Sequence, residues 1–511
     1  MSQQPVGFDR EVFHNVQRYG TCGDGQALDT AAIQAAIDAC HRQGGGTVWV
    51  PAGQYVTGTI FLRDNLTLHL DAGATLLGSP RFEDYPVLPN RWQGEQQLAY
   101  APLIAGENLH NIAITGRGTV NGRGEPWWKA HRAKALAHPR PRLIGFTECT
   151  NVLIENVTLI NSPSWTINPV RCNNVRIHGV TITNPPDSPN TDGINPDSCS
   201  QVRISDCLVS VGDDCITLKS GAEHERADLR APCRDISITN CTLQRGHGGI
   251  VIGSEMSGGV QNVVVSNCLF IGTDRGVRLK SRRGRGGIVE NVRISNLIMD
   301  GVLCPFTMNL YYGPGAWGDE FVSDKSAKAL DAGTPCFRHI HISHVLARNA
   351  KIAAGFIYGL SEMPIEDISL SDISVSFADG AEPHYPEMAD GLEKMLQAGF
   401  FIRNTRHISI DHVEVANQIG MAFDLGDSND IEISTSGTST PDPTAPIFRM
   451  RNLADVFIHH CRAAGASLFL HFEGSQHNFE HHLTLRDNIA TPDQIIFVDT
   501  TGPTSHPEEK K

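Results

Sequence analysis

Short runs in which apolar and polar residues alternate recur along most of the chain. Each run has the form apolar-x-apolar followed by a polar turn, and most neighbouring runs lie 23 (152 to 175) to 34 (202 to 236) residues apart. A period of this length marks a solenoid, and β-branched alternation with Asn and Gly at the corners is typical of strands. The anchors are Val152/Ile154, Val175/Ile177, Val202/Ile204, Ile236/Ile238, Val263/Val265, Val292/Ile294, Ile340/Ile342, Ile368/Leu370, Ile408/Ile410, Ile431/Ile433 and Val456/Ile458. The pattern predicts an all-β protein folded as a parallel β-helix.

One segment near the start has helical periodicity instead. Asp29 is the predicted N-cap of this helix, and a run of glycines ends it. Its apolar stripe consists of Ile33, Ala36, Ile37 and Cys40. We expect this helix to cover the open end of the solenoid, where strand edges are otherwise unpaired.

The repeat continues without a linker, so its length does not imply several domains. We predict an N-terminal segment at 1–60 that holds the capping helix and the first strands, followed by the catalytic β-helix at 61–500 and a polar tail at 501–511. Four repeat-poor segments are predicted to be long loops, and loops on a rigid scaffold often carry binding groups. They are 79–102, 124–145, 313–336 and 377–400. Trp127 and Trp128 in the second loop would either stack on a ligand ring or be buried.

Thirteen cysteines raise the possibility of disulfides or a metal site. No Cys-x-x-Cys pair occurs, and eight of the cysteines keep a fixed distance from a repeat anchor. Those eight are Cys149, Cys172, Cys199, Cys233, Cys207, Cys241, Cys268 and Cys461. Residues at equivalent positions of a solenoid stack, so we predict buried thiol ladders within the core.

The formal net charge of the chain is −14, but one stretch of it is basic. Residues 219–287 contain 11 Lys and Arg against 6 Asp and Glu. A focused basic surface can attract an anionic ligand to an acidic, soluble molecule. For Arg282, Arg283 and Arg285 the alternative is a solvated face without function.

No stretch approaches the roughly 20 apolar residues of a membrane span. The first residues also lack the charged-then-apolar layout of a secretion signal. We therefore expect a cytoplasmic protein with no membrane or nucleic-acid partner. Removal of a leader would make it periplasmic or secreted instead.

The residues with the clearest chemistry form four motifs over about ninety positions. In order they are Asn190-Thr191-Asp192-Gly193, Gly212-Asp213-Asp214-Cys215, Gly246-His247-Gly248 and Arg278-Leu279-Lys280. Asp213 and His247 each follow a repeat anchor by 11 residues, so they should share a face on consecutive coils. Adjacent parallel strands lie roughly 4.8 Å apart. The motifs are therefore expected to meet in one column.

Three carboxylates in one place suit hydrolysis of a glycosidic bond, which needs a proton donor and a group that activates water. A bend beside Gly212 could turn both Asp213 and Asp214 toward the cleft. Crowding with Asp192 would hold one proton on the cluster. His247, between two glycines, would either be a corner residue or hydrogen-bond a neighbouring Asp. A metal site is the competing interpretation, but no His or Cys spacing supports it, so we expect neither metal nor cofactor.

Taken together, these four motifs resemble the signature motifs of the polygalacturonases, glycoside hydrolase family 28. Arg278-Leu279-Lys280 is a variant of the usual Arg-Ile-Lys, and the stretch 252–259 is similar to bacterial members, including exo-polygalacturonases. The resemblance implies a right-handed parallel β-helix and metal-free, inverting hydrolysis of α-1,4-galacturonide linkages.

The resemblance also implies a role for each motif residue. Asp213 would be the general acid, Asp192 and Asp214 would activate the water, and His247 would tune Asp213. The implied substrate-binding residues are Asn190, Arg278, Lys280 and Tyr312, with adjacent Tyr311 as the alternative to Tyr312.

We therefore expect a hydrolase of pectin-derived galacturonides that releases units from a chain end, because long loops can close a groove. The alternatives are a hydrolase of xylogalacturonan- or rhamnogalacturonan-type oligosaccharides, a Ca²⁺-dependent pectate lyase and a non-catalytic glycan-binding solenoid. Oligomeric state is not predicted by the sequence.

Overall fold

The computed structural model describes residues 13–92 and 95–500. These residues form two compact units. The first contains the described residues up to Val251 together with Gly258–Val263, and the second contains Ile252–Ser257 together with the described residues from Val264 onward. The predicted boundaries at 60 and 500 stay predictions, and the tail at 501–511 lies outside the described residues.

The strands of the first unit, numbered in chain order, are β1 Phe13–Asn15, β2 Asp24–Leu28, β3 Gly46–Val50, β4 Gly53–Thr57, β5 Ile60–Phe61, β6 Leu66–Leu70, β7 Ala74–Gly78, β8 Val87–Trp92, β9 Glu95–Tyr100, β10 Ile104–Glu107, β11 His110–Gly116, β12 Thr119–Asn121, β13 Ile144–Thr147, β14 Thr150–Glu155, β15 Thr158–Ile160, β16 Ile167–Val170, β17 Asn173–His178, β18 Thr181–Thr183, β19 Ser200–Ser205, β20 Leu208–Val211, β21 Ile216–Leu218, β22 Cys233–Thr239 and β23 Thr242–Arg245. Two strands contain residues of both units: β24 Ile250–Gly253 and β25 Val260–Ile271.

The strands of the second unit are β26 Arg275–Lys280, β27 Ile288–Asp300, β28 Cys304–Asn309, β29 Cys336–Ala350, β30 Ala353–Tyr358, β31 Ile365–Phe377, β32 Ala398–Arg403, β33 Thr405–Ala416, β34 Phe423–Ser434, β35 Gly437–Thr438, β36 Pro446–His459, β37 Leu468–Gly474, β38 Leu483–Arg486 and β39 Ile495–Asp499. The α-helices are α1 Thr30–Arg42 and α2 Glu125–Arg132 in the first unit, and α3 Glu320–Ser323 and α4 Gln476–His481 in the second. None of these described helices is both long and apolar enough to cross a bilayer.

The predicted repeat anchors pair in register within each unit, which confirms the parallel β-helix. In the first unit the paired residues are Val152, Val175, Val202 and Ile236. In the second they are Val292, Ile340, Ile368, Ile408, Ile431 and Val456. Their side chains are buried, so each coil adds one apolar layer to the core.

Asparagines form the corners between coils, as the sequence pattern predicts. Asn111, Asn151 and Asn174 all have left-handed backbone conformations, with φ of 55°, 56° and 54°. Asn tolerates this region better than other residues with a Cβ. The amide of Asn174 donates to Asn151 Oδ1 (2.6 Å), and that of Asn151 donates to Asn111 Oδ1 (2.8 Å). The stacked amides therefore join one coil to the next.

The capping helix α1 is confirmed, and it packs against β1, β3, β5 and β6. All four residues of its predicted apolar stripe are fully buried. Asp29 does stand at the N-cap, but its side chain does not cap the helix. Its carboxylate instead accepts hydrogen bonds from the backbone N–H groups of Cys22 (2.7 Å) and Gly23 (3.2 Å).

The predicted thiol ladder is also confirmed. All 13 cysteines lie within the described residues and are free thiols, and only Cys22 is exposed. The backbone N–H of Cys149 approaches Cys172 Sγ at 3.4 Å, and that of Cys172 approaches Cys199 Sγ at 3.4 Å. These thiols act as small core residues.

Three segments predicted to be loops contain regular structure, and 313–336 is one of them because it contains α3. Segment 79–102 contains the antiparallel hairpin of β8 and β9, and segment 124–145 contains α2. Trp127 is buried against Phe82, Tyr85 and Tyr100. Trp128 is buried as well, and its Nε1 donates to Ser162 O (3.0 Å). Of the two alternatives for these tryptophans, the structure shows burial.

Candidate active site

Parallel stacking in the first unit brings the aspartates together. β20 and β23 pair in register up to Val211 and Arg245, and each strand is followed directly by one of the motifs. The backbone N–H of His247 then donates to Asp213 O (3.0 Å). On the preceding coil, the N–H of Gly193 donates to Asp214 O (3.0 Å). Equivalent positions of successive coils thus become neighbours, as predicted.

Asp192, Asp213 and Asp214 form a tight carboxylate cluster. One oxygen from each lies within 4.8 Å of the others, and Asp213 is the least buried of the three. The predicted bend at Gly212 is present, because the chain leaves β20 there. A Cβ at Gly212 would lie 2.5 Å from Ser188 O, so only glycine fits this bend.

Each carboxylate has a distinct set of partners. Asp213 Oδ1 lies 3.2 Å from His247 Nδ1 and accepts from the backbone N–H of Asp214 (3.0 Å), whereas Asn190 Nδ2 lies 3.5 Å from Asp213 Oδ2. Asn195 Nδ2 donates to Asp192 Oδ2 at 2.9 Å. His247 therefore touches the Asp that the family resemblance singles out as the acid.

The electrostatics of the cluster favour a protonated Asp192. Burial, together with the negative charges of Asp213 and Asp214, raises the pKa of Asp192 to about 8, although Lys219 and Asn195 act in the opposite direction. The sequence predicts one retained proton, and the family resemblance assigns it to Asp213. Burial favours the protonated form of Asp192, and the assignment of the proton to Asp213 stays a prediction.

Arg140 is a site residue that sequence reasoning missed. It is buried, and its guanidinium donates to Asn190 Oδ1 (2.7 Å), Pro189 O (2.6 Å) and Pro163 O (2.9 Å). Burial lowers its pKa to about 10, while the charges of Asp192 and Asp213 raise it. Arg140 thus fixes the segment that carries Asn190 and offsets part of the carboxylate charge. It belongs to no motif that would have indicated this role.

Arg278, Lys280 and Tyr312 lie together in the second unit. Both cationic side chains project from β26 and are buried. Their charged groups lie 5.7 Å (Arg278 Cζ) and 5.2 Å (Lys280 Nζ) from the centre of the Tyr312 ring. Tyr311 instead contacts Lys325 Nζ, which lies 3.5 Å from its ring centre. Of the two adjacent tyrosines, Tyr312 is therefore the one grouped with the motif cations.

Glu387 forms a buried ion pair with Arg278. The Nε of Arg278 donates to Glu387 Oε2 at 2.9 Å, its Nη2 donates to Oε1, and Thr307 Oγ1 approaches Oε2 at 3.3 Å. Burial alone would raise the pKa of Glu387, but the charges of Arg278 and Arg275 and the hydrogen bond from Arg278 lower it to about 2. The Nε/Nη2 edge of Arg278 is thus bound to Glu387. The role of Arg278 in substrate binding stays a prediction.

Replacing Glu387 with Gln should destabilise the protein by about 2 kcal/mol at pH 7. Removing one partner of a buried ion pair typically costs about 3–5 kcal/mol, and Gln retains one acceptor. The folded-state pKa lies below the usual 4.5, so this stabilisation is present above pH 4.5 and is lost as the pH falls toward about 2. Urea unfolding at pH 7 and pH 3 measures the effect.

Glu414→Gln provides the control, because Glu414 is exposed on β33 of the same unit. A loss for Glu387→Gln that is no larger than that of the control, or equally large at pH 3 and pH 7, would contradict a charged Glu387.

The three arginines after this motif do not form a solvated face. Arg282, Arg283 and Arg285 are all buried. Arg283 forms a bidentate pair with Glu362, with Nε···Oε1 at 2.5 Å and Nη2···Oε2 at 2.9 Å, and Arg282 donates to a backbone carbonyl. Their contacts with neighbouring segments explain why these charges are retained inside the second unit.

The site and fold together define a class of protein: a parallel β-helix that carries a cluster of three carboxylates suited to acid/base chemistry. The family model of glycosyl hydrolases family 28 matches residues 40–319. A probable polygalacturonase of Vitis vinifera is 36% identical over 374 residues, which cover 71% of this chain and 74% of that protein. An endo-polygalacturonase of Pectobacterium carotovorum subsp. carotovorum is 31% identical over 304 residues, covering 55% and 72%.

Among solved structures, an exopolygalacturonase from Thermotoga maritima has a TM-score of 0.64 and 29% identity, over 78% of this chain and 92% of that one. The chain therefore belongs to glycosyl hydrolases family 28. As a member it is a glycoside hydrolase, and its fold is the right-handed parallel β-helix that the sequence resemblance implies.

Proposed function

We propose that this glycoside hydrolase cleaves α-1,4-galacturonide linkages of pectin-derived chains. The observation that carries the proposal is the cluster of Asp192, Asp213 and Asp214, in which the pKa of Asp192 is raised and Asp213 contacts His247. The relatives named above are called polygalacturonases, which supports the substrate class. Asn190 is held by Arg140 at the edge of the same cluster and would bind the sugar.

Asp213 is the proposed general acid. It is the least buried carboxyl of the three and the one that contacts His247. An anionic substrate approaching Asp213 raises the proton affinity of that group. Lys219 and Asn195 stabilise the charged form of Asp192. The proton can then pass to Asp213, which donates it to the leaving oxygen, while the carboxylates of Asp192 and Asp214 activate water.

Inversion is part of this proposal and rests on the family resemblance. Inverting glycosidases usually keep their two carboxyl groups roughly 6.5–9.5 Å apart. The oxygens of this cluster are closer, within 4.8 Å. We assign the water to a position bound by Asp192 and Asp214 together, with Asp213 facing the leaving group.

Arg278 and Lys280 are the proposed partners of a galacturonate carboxylate. Since Glu387 holds the Nε/Nη2 edge of Arg278, the guanidinium acts mainly as a fixed positive charge at this position. Tyr312, which lies against both cations, would contact the same sugar.

Action at a chain end is the proposed mode. Relatives carry both endo and exo names, so similarity alone does not decide between them. The support comes from two insertions of the first unit: Arg91 of the β8–β9 hairpin pairs with Glu225 of segment 219–232 at 2.7 Å. Arg91 also lies 3.5 Å from Asp197 of the coil that carries Asp192. Joined insertions would close a groove that an internal cut needs open at both ends.

We therefore expect monomer or dimer to be the first product from polygalacturonate, with chain length falling slowly. Chromatography of the products during the first few per cent of hydrolysis, with viscosity followed in parallel, measures this. Mid-sized oligomers that precede monomer, with a rapid fall in viscosity, would overturn the chain-end mode and leave the hydrolase itself intact.

A further inference from the structure

Three histidines lie close together at helix α4 in the second unit. His477 and His481 belong to the helix, and His482 is its C-cap. The ring centre of His477 lies 4.8 Å from that of His481 and 5.2 Å from that of His482. The rings are tilted by 46° and 66°, so they do not stack face to face. They form a group of imidazoles centred on His477.

These distances match those of imidazoles that share a metal ion. Zinc binds an imidazole nitrogen at about 2.1 Å, and tetrahedral or octahedral geometry then places two ring centres roughly 4.5–5.3 Å apart. Residues four apart on a helix lie on one face, and His pairs with this spacing bind zinc in helical metal sites. His477 and His481 have this spacing, and both are exposed. Rotation about side-chain bonds can therefore turn one nitrogen of each ring toward a common ion.

Asp455 orients the third imidazole. Nδ1 of His482 lies 2.7 Å from Asp455 Oδ1, and since a carboxylate only accepts, this nitrogen donates. Metal-bound histidines usually donate their other ring N–H to a carboxylate, which fixes both the tautomer and the orientation of the ring. The hydrogen bond to Asp455 leaves the lone pair of His482 on Nε2, where an ion can bind. This contact is independent of the ring distances and points to the same ligand.

The helix that carries these side chains is fixed to neighbouring strands. Phe479 packs against Phe472 of β37 and Phe497 of β39, with ring centres 5.8 Å and 4.6 Å away. Asn478 Nδ2 donates to Leu453 O of β36 at 3.0 Å. An anchored backbone holds the imidazoles near one another before any ion binds, so less conformational entropy is lost on binding.

We infer that His477, His481 and His482 bind one divalent transition-metal ion, Zn²⁺ in the first instance. Imidazole nitrogens suit Zn²⁺, Ni²⁺ and Cu²⁺, whereas Ca²⁺ and Mg²⁺ prefer oxygen. The role of the ion is structural: it links α4 to β36 through Asp455 and is not required for hydrolysis. The expectation of no metal concerned the carboxylate motifs, and this histidine cluster contains none of their residues.

Calorimetric titration of the full chain with Zn²⁺, after treatment with a chelator, tests the site. Wild type should bind one ion here, and His477→Gln should weaken Kd by about a hundredfold, the upper end of the loss typical when even an outer partner is removed. Asp455→Asn should weaken Kd about tenfold, because the partner of His482 loses its charge. Asn tolerates the left-handed backbone of position 455 (φ 53°), so this variant should fold, which circular dichroism checks.

His344→Gln is the matched control, since His344 is an exposed histidine of the same unit that lies 3.6 Å from Asp372. Its affinity for Zn²⁺ should equal that of wild type. Zn²⁺ should also raise the melting temperature of wild type and of the control but not that of His477→Gln, because an ion that binds only the folded state stabilises it. Equal Kd in wild type and His477→Gln, or no binding by wild type, would overturn the site.

X-ray absorption at the zinc edge identifies the ligands and separates this site from the carboxylate cluster. Imidazole nitrogens at about 2.0–2.1 Å from the ion are expected. Oxygen ligands alone would contradict the histidine site and indicate binding among the three aspartates, whose oxygens lie within 4.8 Å of one another. His477→Gln should hydrolyse tri-galacturonate at the wild-type rate, and a loss of that activity would contradict the structural role of the ion.

Discussion

Asp213→Asn should lower kcat on tri-galacturonate by about a thousandfold or more, because protonation of a poor leaving group by a positioned acid contributes roughly 10²–10⁴-fold to the rate. KM should change little. Asn is close to Asp in shape and can still interact with His247 and the N–H of Asp214. Release of reducing ends, with products resolved by chromatography, measures the loss.

A second substrate with a better leaving group tests whether Asp213→Asn has lost proton donation. A galacturonide of a good leaving group such as dinitrophenol needs little protonation, so Asp213→Asn should retain most of its activity there. Asp206→Asn serves as the control, because Asp206 is exposed in the same unit and away from the cluster. Equal losses on both substrates would contradict the acid role of Asp213 and favour Asp192 as the donor.

Asp192→Asn is expected to destroy activity and stabilise the protein at the same time. The rate should fall about a thousandfold on both substrates, since a group that activates water is needed for either leaving group. The folded-state pKa of Asp192, about 8, lies above the usual 3.8. The folded protein thus binds more protons than the unfolded chain, and this group lowers stability progressively as the pH rises from about 4 to about 8.

Removing that carboxyl should raise the free energy of unfolding by about 2 kcal/mol at pH 8, with no gain at pH 4. One pKa unit corresponds to about 1.4 kcal/mol. The gain is less than the full shift implies, because Asn195 and Lys219 lose a charged partner. Urea unfolding at the two pH values measures this. A loss of stability at pH 8, or an equal gain at both pH values, would show that Asp192 is ionised at neutral pH.

The sequence predicted the features that follow from periodicity. Anchors such as Val202 and Ile236 alternate with polar residues, and stacking them places Asp213 beside His247 without any knowledge of the loops. The bend at Gly212 was predictable for the same reason, since neighbouring aspartates on a strand would point in opposite directions.

Contacts made by irregular segments could not be predicted in this way. Glu387 reaches Arg278 across 109 residues, and Arg140 reaches Asn190 across 50. Neither segment has a periodicity that fixes its position. Helix α2 was missed because it has only eight residues and begins with Glu-Pro-Trp-Trp, which gives no extended apolar stripe.

The first product of tri-galacturonate cleavage, observed by proton NMR within seconds of adding wild-type enzyme, tests the account most directly. In this account Asp192 and Asp214 hold the water on the face of the sugar opposite the leaving oxygen, which Asp213 protonates. The new reducing end should therefore appear first as the β-anomer and then mutarotate. The α-anomer appearing first would contradict direct displacement by water, and no new reducing end would contradict galacturonide hydrolysis itself.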